Sequence, residues 1–438
     1  MGALRRALLA GGYDEERLRE VLRLRGRFLA ASRIRRPLHV LRARDEPLVR
    51  LLLLETPVRI GELGDLAGDL IALELARADG EHLVPLVTVT PYEGLLLIAD
   101  LDVDAGPSDV VPGLSHAGVT LAHLTPRDHV GTALDLGTGF GMQALLAARH
   151  ADLVVATDLN PRALRIAELN AELNEISNVT FRSGDLFAPV AGERFDLIVS
   201  NPPFAVGPDE RFVYRDGGAP FCERVVRGSA AALAEGGIAV IAAGWLDDGI
   251  DPWAPVRAWL AGCGCDALVL RLAELDPLAN GWLYTGEGEA TERWADSISA
   301  AGAVGVSYGN VILRRRAGGG RTAMLDLLGK DVPKAGAHVA RIMRNLEWLA
   351  ANEERLAESR LRPAEGLERR TVEQVGPAVD PPRPARLALR RGLPFVVPAD
   401  ASPVELLERG LVEPDDRIDT PTAEEDDRRA GSPPRRWG

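Results

Sequence analysis

Two short stretches hold the residue types that could do chemistry. The first is Leu134-Asp135-Leu136-Gly137-Thr138-Gly139-Phe140-Gly141. Glycines at alternate positions let a backbone approach a ligand closely, with no Cβ in the way. A dinucleotide site uses the spacing G-x-G-x-x-G and cradles a pyrophosphate on the helix that follows. The spacing here is G-x-G-x-G, which suits a ligand without phosphates. Asp158, followed by Leu159, ends the next β-type run, where a carboxylate can accept hydrogen bonds from both ribose hydroxyls. Asp185 and Leu186 follow a third run, where an acidic side chain could bind the exocyclic amine of adenine. Ribose and adenine contacts without a diphosphate site point to an adenosine derivative such as S-adenosyl-L-methionine. A tight turn that binds nothing, or an NAD or FAD site, is the alternative for this loop taken alone.

The second stretch is Phe195-Asp196-Leu197-Ile198-Val199-Ser200-Asn201-Pro202-Pro203-Phe204. A buried strand runs straight into two prolines, which cannot extend a ladder, so the chain must turn at the carboxyl edge beside the glycine loop. The Asn201 carboxamide offers an acceptor, and the Pro202 carbonyl is another. Two acceptors can grip both hydrogens of a planar NH2 group. Such a nitrogen is a poor nucleophile because its lone pair is delocalised. Holding the hydrogens out of plane localises that pair, and orientation then supplies much of the rate without a strong base. Phe204 would stack on a flat target or close the pocket. The expected catalytic set is therefore Asn201, Pro202, Pro203 and Phe204. The expected cofactor set is Gly137, Thr138, Gly139, Gly141, Asp158, Leu159, Asp185, Leu186 and Asn201, with no metal.

Asp-Leu-Gly-Thr-Gly followed roughly 65 positions later by Asn-Pro-Pro-Phe resembles the class I S-adenosylmethionine-dependent N-methyltransferases. The resemblance is to the methyltransferase small domain group, which includes HemK-type glutamine methyltransferases of release factors and ribosomal RNA N-methyltransferases. It spans about residues 120–315. It implies that Gly137, Gly139 and Gly141 line the methionine part, Asp158 holds the ribose, and Asp185 with Leu186 sits at the adenine. Asn201 to Phe204 would clamp the acceptor nitrogen. Thr125-Pro126 resembles the segment that closes over the methionine end, and Arg215-Asp216-Gly217-Gly218 stands where relatives have a substrate-side loop. Phe204 replaces the tyrosine usual in release-factor enzymes and agrees better with the RNA enzymes.

The elements that must position these residues are legible as alternation. Thr132–Leu136, Leu153–Thr157, Val179–Arg182, Phe195–Ser200, Gly237–Ala243, Ala267–Leu272 and Val304–Arg314 read as seven strands. Met142–His150, Pro161–Glu175, Arg224–Ala234 and Trp253–Ala261 read as helices between them, with Asn160 capping the second. The fold class predicted is α/β, a doubly wound seven-stranded Rossmann-like sheet over residues 111–316. Residues 1–110 read as a helical domain for substrate recognition, with Leu63–Ala78 as one helix. Leu83–Thr90 and Leu95–Ala99 form a hairpin around Pro91-Tyr92-Glu93-Gly94. Helices followed by a hairpin resemble a winged-helix module. Ala317-Gly318-Gly319-Gly320 reads as a flexible joint to a small lobe over 317–415. That lobe has a helix at Val339–Leu361, a strand at Leu387–Val397 and a helix at Val404–Leu411. Residues 416–438 read as a disordered tail.

At 438 residues, with 46% hydrophobic and 26% charged side chains, the chain can build more than one core. No run approaches the ~20 apolar residues of a membrane span. No secretory h-region is present, and three cysteines (Cys222, Cys263, Cys265) read as idle thiols, so a cytoplasmic address is expected. A net charge of -13 argues against a protein that coats nucleic acid non-specifically. The first fifty residues nonetheless hold 13 Arg against 6 Asp and Glu, although Arg supplies all cations but Lys330 and Lys334. The expected partner is a macromolecular substrate: ribosomal or other RNA, DNA, or a release factor protein, with no membrane. The alternative is a methyltransferase-like RNA- or protein-binding module without turnover. His123 and His129 read as hydrogen-bonded or surface residues rather than bases, and Trp245 as core.

Overall fold

The apolar runs after residue 129 assemble into one large sheet whose central strands are buried on both faces. The computed structural model describes residues 1–24, 37–101, 109–204, 219–286, 288–370, 386–398 and 400–415. The arginine-rich segment 25–36, the Arg215–Gly218 loop and the tail from 416 lie outside these.

The N-terminal region holds five helices (Gly2–Ala10, Glu15–Leu22, Pro37–Arg42, Pro47–Leu52 and Leu66–Ala72) among the described residues. Strands β1 (Val58–Arg59), β2 (Ala76–Asp79) and β3 (His82–Pro85) form an antiparallel sheet in the order β1-β3-β2. Strands β4 (Val87–Tyr92) and β5 (Leu95–Asp100) form a separate hairpin. The helix expected over Leu63–Ala78 stops after Ala72. Glu74 there takes a left-handed φ of 57°, and the chain enters β2, whose Ala76 pairs with Pro85. The run expected as one strand over Leu83–Thr90 divides at exposed Leu86. The hairpin turn narrows to Glu93-Gly94, both with positive φ (46° and 76°), the geometry that matches strand twist in a two-residue loop. The winged-helix resemblance rested on this hairpin. It lies along the helix Pro161–Leu173, where Asn170 and Asn174 each bond both the N–H and the C=O of one β5 residue, Ile98 and Leu96.

The large sheet comprises β6 (Val130–Leu136), β7 (Ala151–Asp158), β8 (Val179–Ser183), β9 (Phe195–Ser200), β10 (Leu233–Asp247), β11 (Cys265–Leu275), β12 (Gly305–Arg315) and β13 (Thr322–Asp326). Their order is β13-β11-β12-β10-β9-β6-β7-β8, and only β12 runs antiparallel to its neighbours. The sheet thus has eight strands, not the seven expected. The extra strand lies beyond Ala317–Gly320, which is tied down rather than loose. Gly320 and Arg321 N–H both donate to Asp266 (3.1 and 2.9 Å), and Arg316 pairs with the same buried carboxylate at 2.8 Å. Five residues with only Ala323 and Leu325 buried give little strand signal by themselves.

Chain order reverses direction between β6 and β9, the switch point at which open α/β sheets bind ligands. The helices His116–Leu124, Met142–Ala147 and Pro161–Leu173 cover one face beside Gly336–Asn352; Ala219–Ala232 and Ala254–Leu260 cover the other. The cap foreseen at Asn160 is present, its side chain accepting from Arg162 N–H at 2.9 Å. The helix expected over Val339–Leu361 gives way to 3₁₀ turns after Asn352. The single strand expected over Leu387–Val397 is two, β16 (Arg386–Leu389) and β17 (Val396–Pro398), beside β14 (Leu361–Pro363), β15 (Leu367–Arg370) and β18 (Val412–Pro414). The helix expected over Val404–Leu411 spans Pro403–Glu408.

Candidate active site

A cavity of about 640 Å³ opens at the carboxyl ends of β6, β7, β8 and β9. The glycine loop forms its floor. Gly137 and Gly139 take left-handed φ values of 71° and 55°, and a Cβ at either position would meet no atom within 4 Å. The open side of this loop is a cradle of bare backbone. Thr138 N–H donates to Thr157 C=O at 2.8 Å and its hydroxyl donates to Asp135 at 2.6 Å. Asp135 also accepts from Ala144 N–H at 2.9 Å. Complete burial pushes the Asp135 carboxyl up to about 7 despite these donors.

Asp158 joins the loop to β7. One carboxylate oxygen accepts from Gly139 N–H and the other from Asn160 N–H, each at 2.8 Å. A carboxylate oxygen can accept a second hydrogen bond beside its first. Asp185 stands on the opposite wall, 3.5 Å from the Arg224 guanidinium, both half-exposed.

The other end of the cavity is built from β9. Buried Ser200 donates its hydroxyl to Leu136 C=O at 2.9 Å, which binds the end of β9 to the end of β6 and delivers Asn201 beside Gly137. The Asn201 Oδ1 is buried and has no hydrogen-bond partner among the described residues. Leaving such an acceptor unmade costs about 1–3 kcal/mol, so this atom calls for a donor from outside the chain. Phe204 packs on Tyr308, ring centroids 5.8 Å apart. Gly244 permits this, since a Cβ there would fall 2.7 Å from Phe204 C=O and 2.9 Å from the Tyr308 ring.

Gly137, Thr138, Gly139, Asp158, Leu159, Asp185, Leu186 and Asn201 to Phe204 all line the one cavity. Gly141 does not. It starts the helix Met142–Ala147 with φ 89°, and a Cβ there would lie 2.9 Å from the Ala167 Cβ, so close helix packing is what requires glycine. Thr125-Pro126 is also away from the cavity, packed under the start of the helix Gly336–Asn352. Val110–Gly113 and Ser115 line the cavity instead, held by Val111 N–H on Asp100 (2.8 Å) and Asn160 on Asp109 C=O (2.9 Å). His123 is buried against Val332 C=O, His129 pairs with Asp152 at the surface, and Trp245 is core, its indole N–H on Pro252 C=O. Sequence reasoning missed Gln143, Arg224 and Tyr284, which also line the cavity. Arg224 is the only cation among the described lining residues, which fits a nucleoside ligand better than a diphosphate.

Residues 116–244 match the family described as Methyltransferase small domain. Over this segment the chain is similar to the class I S-adenosyl-L-methionine-dependent methyltransferases. It is 36% identical to the release factor glutamine methyltransferase of Aliivibrio fischeri over 177 residues, 39% of this chain and 57% of that one. It is 31% identical to the release factor glutamine methyltransferase of Escherichia coli over 40% of this chain and 66% of that one. It is 41% identical to the ribosomal protein uL3 glutamine methyltransferase of Bradyrhizobium diazoefficiens over 21% and 29%. The chain therefore spans less than two thirds of the length of the curated relatives it matches. The residues present fit the cofactor: a backbone cradle, the buried carboxylate of Asp158 at the end of β7 and the exposed carboxylate of Asp185 just after β8.

Proposed function

We propose that this chain is an N-methyltransferase that places a methyl group on the planar NH2 nitrogen of a macromolecule, and that the acceptor is a glutamine side-chain amide of a protein. The observation that carries the reading is the buried, unpartnered Asn201 Oδ1 at the cavity edge. A carboxamide NH2 supplies the donor this atom lacks.

The loop Gly137–Gly139, Asp158 and Asp185 would hold S-adenosyl-L-methionine, which supplies an electrophilic methyl on a sulfonium. The chain's own residues do the rest. Asn201 Oδ1 accepts one hydrogen of the acceptor nitrogen and Pro202 C=O the other, which turns the lone pair out of conjugation. Phe204, braced by Tyr308, excludes water and fixes the plane of the acceptor. Once methylated, the nitrogen is strongly acidic and its extra proton passes to solvent, so no buried base is needed.

The relatives' names favour a protein amide. So does the N-terminal unit, residues 1–110, proposed as the recognition module. The helix Leu66–Ala72 and the segments beside it expose Glu62, Asp65, Asp69, Glu74, Asp79 and Glu81 against Arg59 and Arg77, an acidic excess that disfavours a polyanion. A nucleobase amine is the second reading, favoured by Phe204 in place of tyrosine. The test is calorimetry with S-adenosyl-L-methionine, paired with transfer of labelled methyl to an extract of cells lacking the gene. Asn201→Ala should keep cofactor affinity within about threefold and lose transfer by more than about a hundredfold. Binding by the wild type with no Asn201-dependent transfer would leave a module that binds without turnover.

A further inference from the structure

Two helices unforeseen in the sequence, Pro277–Thr285 and Glu289–Ala300, join β11 to β12. Asp276 caps the first by accepting from Ala279 N–H at 2.8 Å, and Pro277 opens it. The helices touch closely, since a Cβ on Gly281 would fall 2.6 Å from Thr291 C=O. Both stand at the carboxyl edge of the sheet, where Asn201 leaves β9.

This pair reaches the cavity. Tyr284 lines it and stacks on buried Trp294, ring centroids 5.1 Å apart and planes at 20°. Tyr308, which braces Phe204, donates its hydroxyl to buried Asn280 of the first helix. The insert and the Asn-Pro-Pro-Phe turn therefore share one aromatic wall.

The outer side of the same insert is apolar. Six large apolar side chains are more than half exposed among the described residues, and five of them stand at this edge: Ile250 (88%), Leu278 (57%), Trp282 (58%), Leu283 (57%) and Val304 (60%). Leu278 and Trp282 are one helical turn apart, and Trp282 is two residues from Tyr284. Clustering of exposed apolar groups beside a cavity marks an interaction surface rather than scatter. Its charge selects the partner. From Glu274 to Val304 the sequence carries Glu274, Asp276, Glu287, Glu289, Glu292 and Asp296 against the lone cation Arg293, and Glu289, Glu292 and Asp296 are exposed.

We infer that this helix pair is the docking platform for the acceptor protein, seating a cationic segment with apolar side chains on Leu278 and Trp282 while Tyr284 walls the acceptor end of the cavity. The inference rests on the methyl-transfer reading above and adds the partner's chemistry and the surface that takes it. Polyphosphate would be repelled there, whereas lysines and arginines gain both steering and register.

The experiment uses the full chain, tritiated S-adenosyl-L-methionine and two acceptor pools from cells lacking the gene, deproteinised RNA and nuclease-treated protein. Wild type is compared with Leu278→Ser/Trp282→Ser, both positions being exposed. Label should enter protein, and the double variant should need about tenfold more acceptor for half-maximal rate, with cofactor affinity by calorimetry within about twofold. Glu289→Lys/Glu292→Lys/Asp296→Lys should show the same loss at low salt and a smaller one at high salt. Equal acceptor dependence of wild type and both variants overturns the platform and leaves the methyl-transfer reading intact. Platform-dependent label in RNA overturns the cationic occupant. No label in either pool from wild type overturns the reading on which the platform stands.

Discussion

The two ends of the cavity are made in different ways. The proposed cofactor end is backbone held by near neighbours: Gly137 and Gly139 in left-handed conformations, with Asp158 and Asp135 pinning the loop across β6 and β7. The proposed acceptor end is side chains held from afar: Phe204 rests on Tyr308, Tyr308 on Asn280, and Tyr284 on Trp294. The first can change only by adding side chains to backbone held in conformations that favour glycine. The second can be altered by exchanging a ring, so a fold that keeps one cofactor can vary its acceptor.

The comparison breaks most sharply at Gly139. Gly139→Val puts a branched side chain into the cavity from a φ it rarely adopts, and should weaken cofactor binding about a thousandfold by calorimetry. Unchanged affinity would mean that the cradle is not the cofactor site. Gly141→Ala tests the opposite property of the same loop, since its new Cβ meets Ala167. A loss of about 1–3 kcal/mol in denaturant stability is expected, with cofactor affinity measured below the onset of the unfolding transition changed little. At the acceptor end, Tyr284→Ala should lower kcat/KM for the protein acceptor about tenfold, with cofactor affinity unmoved. A matching fall in cofactor affinity would place Tyr284 on the wrong side.

The smallest effect concerns Asp135. Its folded pKa is raised by burial to about 7, so its stabilising contribution is present in full below the unfolded value near 3.9 and is lost as pH rises through 7. Wild type should lose roughly 1 kcal/mol between pH 6 and 7.5 that Asp135→Asn does not lose. Parallel denaturation midpoints over that range would contradict the assignment.

The contrast also explains what the sequence could reveal. The glycine loop, Asp158, Asp185 and the Asn201–Phe204 turn are contiguous or sit at strand ends, so residue type and spacing are enough to find them. Asn160 is legible for the same reason, because a cap acts two residues away. Gly141 misleads because a glycine near a ligand loop and a glycine under a helix look alike in one dimension. Asp276-Pro277 marks the start of the insert locally, but the role of Tyr284 carries no local signal, since its meaning comes from Tyr308 and Phe204, which reach it only through the sheet. β13 was hidden by Ala317–Gly320, whose glycines read as a loose joint until Asp266 is seen to hold Gly320 and Arg321. Surface charge is not legible in the sequence alone, because it depends on which residues the fold leaves outside.

The central claim is that the cavity edge grips a flat NH2 group. Its most direct measurement is mass spectrometry of the labelled product after complete digestion, locating the methyl group to an atom. A methyl is expected on the side-chain nitrogen of glutamine, absent from digests made with Asn201→Ala. A methyl on oxygen, carbon or sulfur, or one that persists without the Asn201 carboxamide, would contradict it.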